Sequence, residues 1–167
     1  MTQEEKQLLL KDLCARLPYE VKGKVYAETT NGEYDMDGEL IFFDSPFDVI
    51  LDDINTSTEE IHVIAIGNED TVDFIEDQQT CGFPYTIDEF KPYLRPMESM
   101  TEKETYIFQQ DILNEVEARC IHSLGSGKYS LAFTEANDWL NAHHFDYHGL
   151  IEKGLALEAP EDMYKNG

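Results

Sequence analysis

Four residues near the C-terminus, His143, His144, Asp146 and His148, are of the types that ligate transition metals. Imidazole and carboxylate together suit zinc, and two histidines four apart on one helix face a single ion. His144 and His148 have that spacing, but Phe145-Asp146 between them reads as the start of a new helix. His143 and His144 are adjacent and point about 100° apart on any helix. The competing reading is a packing corner, in which Phe145 and Tyr147 pack, Asp146 caps a helix and one histidine bonds a nearby carbonyl. The spacing favours the corner. No metal or other cofactor is therefore expected, and the four residues carry only an alternative reading as a metal-dependent enzyme.

Other chemistry finds less support. Gly125-Ser126-Gly127-Lys128 hints at a phosphate loop, but that loop needs glycine where His122 stands and Ser or Thr where Tyr129 stands. The acidic groups Asp52-Asp53, Glu59-Glu60 and the run from Asp70 through Asp73 and Glu76 to Asp77 lack the alternating oxygen ligands and glycine of a calcium loop. Solvated carboxylates are the plainer reading. There is no GxSxG elbow and no CxxC pair. Cys14, Cys81 and Cys120 read as reduced, mostly buried thiols of a cytoplasmic protein.

The charge is more informative. The 167 residues carry 35 Asp and Glu against 12 Lys and Arg, a formal net charge of −23. From Val25 to Phe90 there is no Lys or Arg, while the same 66 residues hold 18 carboxylates. A compact structure made from them presents a negative surface that repels phosphate polymers and anionic lipid. Direct nucleic-acid binding is excluded on that ground and a basic protein partner is favoured. No apolar run exceeds four residues, against about 20 for a membrane-spanning helix. The opening MTQEEKQ lacks the basic and apolar regions of a secretory signal.

These residues need elements to position them. Thr2 and Glu5 have the spacing of a capping box, and Leu10, Leu13, Cys14 and Leu17 form a helical stripe ended by Pro18. Residues 19–90 change to short β-branched runs separated by turn signals at Asn31-Gly32 and Asp37-Gly38. Such strands predict a small curled antiparallel sheet or a minimal barrel. Residues 91–100, with Pro92 and Pro96, read as an extended strap pinned by Tyr93, Leu94 and Met97, with Arg95 as a counter-charge for a carboxylate. Thr101 and Glu104 repeat the capping box and open a mostly helical segment, 101–158, interrupted by a returning strand at 128–133. Residues 159–167 read as a polar tail. The whole is one α+β domain, 1–167, with an N-terminal helix over 1–18.

Three blocks, KQLLLKDLCARLPYEVK, IDEFKPYLRPMESMT and DWLNAHHFDYHGLIEKGLALEAPEDMY, together resemble a family of small uncharacterised proteins common in gut Bacteroidales, their phages and mobile elements. The resemblance covers a little over a third of the chain and excludes the acidic β segment. It implies no activity, cofactor or catalytic residue. The chain departs from the family at His148, where arginine is usual, and a metal site needing His148 would be absent from such relatives. The combined reading is a non-enzymatic accessory protein that binds a protein partner through Asp52, Asp53, Glu59, Glu60, Asp70, Asp73, Glu76 and Asp77. A nucleic-acid mimic that occupies the DNA site of a host protein is the alternative within the binding class.

Overall fold

The computed structural model describes residues 1–26, 28–34, 36–37, 40–44, 46–67, 72, 84–114 and 129–164. Helix α1 (Gln3–Arg16) begins at the expected capping box, with the Thr2 hydroxyl accepting from the Glu5 N–H and the Glu5 carboxylate accepting from the Thr2 N–H. Its buried face is Leu9, Asp12, Leu13 and Arg16, so two charged residues share the core side with two leucines. Cys14 is exposed, contrary to the expectation of a buried thiol, because the face that packs is rotated away from it; Cys81 and Cys120 lie outside the described residues.

The chain continues through β1 (Lys22–Val25), β2 (Glu28–Tyr34), β3 (Leu40–Asp44), β4 (Phe47–Asn55), β5 (Glu60–Ala65), β6 (Tyr85–Thr86) and β7 (Phe90–Leu94). Next come α2 (Glu102–Ile107), which runs on as a π-helical stretch over Phe108–Leu113, then α3 (Tyr129–Ala142) and β8 (Leu157–Glu158). Six strands form an open mixed sheet in the order β6-β5-β4-β1-β7-β8. It does not close into a barrel. One pairing, β7 with β8, is parallel, because β8 returns only after the helical segment supplies the crossover that parallel strands need.

The inner face of this sheet supplies Val21, Val25, Val49, Leu51, Ile61, Val63, Phe90 and Leu94 to one core with Leu9 and Leu13 of α1 and Leu150 and Leu155. Gly23 lets Phe90 lie flat on β1, since a Cβ there would sit 2.5 Å from Phe90 Cζ and 2.6 Å from the Lys91 carbonyl oxygen.

Three expectations are corrected. The strap turns at Met97–Ser99, and its first part lies inside the sheet, as strand β7. Pro92 is tolerated there because it faces Gly23 at a non-hydrogen-bonded position of the β1–β7 ladder and pairing with β8 starts only at Tyr93. The stretch 128–133 is no strand, since residues 129–133 open α3; an apolar run this short fits either element, and no breaker separates it from the helical residues that follow. The tail is anchored by Tyr164. Its hydroxyl accepts from the Lys22 N–H at 3.3 Å and donates to the Tyr93 carbonyl at 3.1 Å, bridging the next β1–β7 rung.

Strands β2 and β3 form a second, two-stranded sheet in register with the first. Val25 faces Phe47 and Glu28 faces Asp44, with two residues between on each strand, so β1-β2 and β3-β4 form one long hairpin. The register shifts between Thr30 and Tyr34, which makes Asn31-Gly32 a bulge site within β2 and leaves the turn to Met36-Asp37. Among the described residues no third strand pairs with this arm, which spans about 20 Å at the usual rise per residue. No described helix is long and apolar enough to cross a membrane.

Candidate functional site

The histidine-rich stretch is a corner that locks α3 to α1 and β7. After α3 the chain reverses at His144, whose φ of +58° is left-handed. Phe145 then lies beside Arg95, with the Arg95 N–H donating to the His144 carbonyl and the Asp146 N–H donating to the Arg95 carbonyl, each at 2.8 Å. Asp146 caps the following turns, its two oxygens accepting from the Leu150 and Ile151 N–H groups at 2.8 Å. His143 Nδ1 lies 2.8 Å from the Trp139 carbonyl, to which it donates, and its ring stacks on the indole. His144 is buried and stacks on Tyr164, with centroids 3.8 Å apart. Burial, aided by the nearby Arg16 charge, lowers its pKa to about 4, so the ring is neutral at neutral pH.

His148 turns to α1, with Nδ1 2.9 Å from Asp12 Oδ1. Asp12 also holds Arg16 through two contacts, Nε to Oδ2 at 2.6 Å and Nη2 to Oδ1 at 3.0 Å. Arg16 donates on to the Phe145 carbonyl at 2.7 Å, and its guanidinium lies over the Tyr147 ring. Both charged side chains are fully buried. The four metal candidates are thus engaged separately: His143 on a carbonyl, His144 on a ring, Asp146 on two amides and His148 on Asp12. Among the described residues no group of three or more His, Cys, Asp or Glu is placed to hold a metal ion.

Arg95 stacks over the Phe145 ring at 4.2 Å and forms a two-pronged pair with Glu104, at 2.7 and 3.0 Å. That guanidinium holds the Glu104 carboxyl down to about 2, with the Thr101 N–H adding to the effect. Arg95 is therefore the counter-charge its position suggested. A cleft of about 460 Å³ opens beside it, walled by Pro96, Thr101, Ala159, Pro160 and Tyr164.

The acidic surface is divided. Asp52 and Asp53 are exposed at a bulge in β4, where the register with β5 shifts. Glu59, in the β4–β5 turn with φ of +58°, is half-buried and shares Lys6 with Asp88. Glu60 bonds the Thr58 hydroxyl. Asp70, Asp73, Glu76 and Asp77 lie outside the described residues. Two of the expected carboxylates, Asp52 and Asp53, are therefore exposed with no ion pair among the described residues, and two, Glu59 and Glu60, serve the local structure.

No known protein family, curated protein or solved structure matches the chain. The site must be read from its own residues.

Sequence reasoning missed the buried Asp12–Arg16 pair and the role of Tyr164. A signal for the first was present: Asp12 and Arg16 fall four apart, in phase with Leu9 and Leu13, so on a helix they share the apolar side. Tyr164 had none, because a lone aromatic in a polar tail gives no period to read.

Proposed function

We infer that the chain is a non-enzymatic accessory protein that recognises a basic surface on a protein partner through its acidic β segment. The observation that carries this reading is the two-stranded arm. It continues the β1–β4 hairpin beyond the flanking strands, holds six carboxylates and no cation between Glu28 and Asp44, and ends in a turn where Met36 is 99% exposed. Asp52 and Asp53 add exposed negative charge farther along β4. Such a field speeds encounter with a cationic partner and disfavours phosphate polymers. The corner's histidines and carboxylates are used in packing, which favours binding over metal-dependent catalysis.

The test places a photo-crosslinking residue at position 36, identifies the protein it captures in host cells, and measures association of the purified pair against salt. Capture of a basic protein with an on-rate that falls steeply with ionic strength, less steeply for Asp52→Asn/Asp53→Asn, is the expected result. Salt-insensitive binding, or no capture from position 36, refutes the reading. Competition by duplex DNA for the partner's surface would move the assignment to mimicry of nucleic acid.

A further inference from the structure

The outer face of the six-stranded sheet carries a group of cations in a chain that has few. Alternation along β1 buries Gly23 and Val25 and turns Lys22 and Lys24 outward. Lys24 faces Lys91 of β7 directly across the ladder. Like charges in opposed positions destabilise a sheet, and with 35 carboxylates available the chain could have placed an acid at either position. Edge protection does not account for Lys24, which lies on the interior strand β1, although Lys91 stands where β7 is not yet paired with β8. Among the described residues the lysines are only loosely neutralised. Lys22 lies 3.9 Å from Glu20, Lys24 lies 3.8 Å from Asp48, which already accepts the Tyr93 hydroxyl, and Lys91 lies over the Tyr26 ring.

Beside this group the same face is apolar. Ile50 of β4 faces Lys22 on one side and Ile64 of β5 on the other. Ile64 is 51% exposed and Ile66 is 41% exposed, so lysine stems do not cover them. Helix α1 packs on the opposite, inner face. We propose that this outer face, built from Lys22, Lys24, Lys91, Ile50, Ile64 and Ile66, docks an extended partner segment that presents carboxylates and apolar side chains in alternation. Carboxylates fit the opposed lysines, and apolar side chains fit the isoleucine row next to them. Asp48, between the two, sets the register by repelling a carboxylate placed over it. The surface is separate from the acidic arm and takes the opposite charge.

The test pans a random 12-residue peptide library against the immobilised full chain and then maps the enriched peptides by amide shifts. The expected peptides are acidic with apolar residues at alternate positions, and they shift residues 22–26, 48–50, 62–66 and 91. Lys24→Gln/Lys91→Gln and Ile64→Ser should each weaken them at least about tenfold, equivalent to 1.4 kcal/mol. The neutralised double variant should melt no lower than the parent, since it removes the opposed like charges. Capture through position 36 should be unchanged, which keeps failure here distinct from failure of the arm reading. Enriched peptides without carboxylates, binding indifferent to these substitutions, no enrichment over bare support, or sedimentation showing a second copy on this face would each overturn the proposal.

Discussion

Replacing Asp12 with alanine should be the most damaging single change to the fold. The substitution leaves Arg16 fully buried with its charge unmatched. It also removes the oxygen that His148 Nδ1 meets. Arg16 cannot recover what it loses locally. Its Nη2 is committed to the Phe145 carbonyl and its Nη1 has no partner among the described residues. Breaking a buried pair by removing one partner costs about 3–5 kcal/mol, against a total stability of about 5–15 kcal/mol for a domain. With a urea slope of about 2 kcal/mol/M, the midpoint should fall by about 1.5–2.5 M. Arg16→Met should cost a similar amount by stranding Asp12. The double variant Asp12→Ala/Arg16→Met removes both charges and leaves only the Phe145 carbonyl and His148 without their partners, for about 1–3 kcal/mol. The cycle should therefore show several kcal/mol of coupling. Urea unfolding followed by Trp139 fluorescence, which reports the corner directly, measures all three. Single changes costing under about 1 kcal/mol, with a double change equal to their sum, would falsify the claim that a buried ion pair holds α1 to the corner.

The other predictions concern the same region and the sheet. His144 titrates at about 4 when folded and at 6.5 when exposed, so below pH 6.5 the unfolded chain takes up the proton first and stability falls as pH drops towards 4. At 1.36 kcal/mol per pH unit the loss reaches about 3 kcal/mol. His144→Asn tolerates the left-handed backbone and should flatten that part of the profile in urea unfolding at pH 7 and pH 4.5. Glu104 has the carboxylate behaviour: its pKa is lowered to about 2, so its contribution is present above its unfolded pKa and disappears as pH falls towards 2. Glu104→Gln should lower the melting temperature at pH 7, with the difference vanishing in strong acid. Gly23→Ala places a Cβ against Phe90 and the Lys91 carbonyl, and should cost about 1–3 kcal/mol by overpacking, read by the same urea assay.

Local signals in the sequence transferred well where one residue's chemistry decides the outcome. Both capping boxes formed, because each needs only a hydroxyl and a carboxylate three residues apart. The β-branched runs became β4 and β5, and Arg95 found its carboxylate in Glu104. Long-range decisions were not legible. Whether Phe90–Leu94 lies over the sheet or within it depends on Gly23 making room and on β8 arriving after more than sixty residues. Whether His148 meets a metal or Asp12 depends on a contact across 136 positions. The residue types agree with either outcome, and only the packing of α1 against the corner separates them.

The placement of cations ties these observations together. Arg16 holds the Phe145 carbonyl and Arg95 covers its ring, each neutralised by one carboxylate, and together they fix the corner. Lys6 draws Glu59 and Asp88 together where α1 meets the β4–β5 turn, and Lys153 donates to the His148 and Gly149 carbonyls. Each holds two segments, or two turns of one segment, that would otherwise repel or fray. In a chain with roughly one cation for every three carboxylates, these four cations sit where a negative or carbonyl-rich junction requires them. Lys22, Lys24 and Lys91 differ: among the described residues Lys22 and Lys24 have only long pairs with exposed carboxylates, at 3.9 and 3.8 Å, and Lys24 opposes Lys91. A placement that costs stability within the chain is accounted for if the matching charge arrives from outside, and the exposed isoleucines beside it say that the same partner brings apolar side chains.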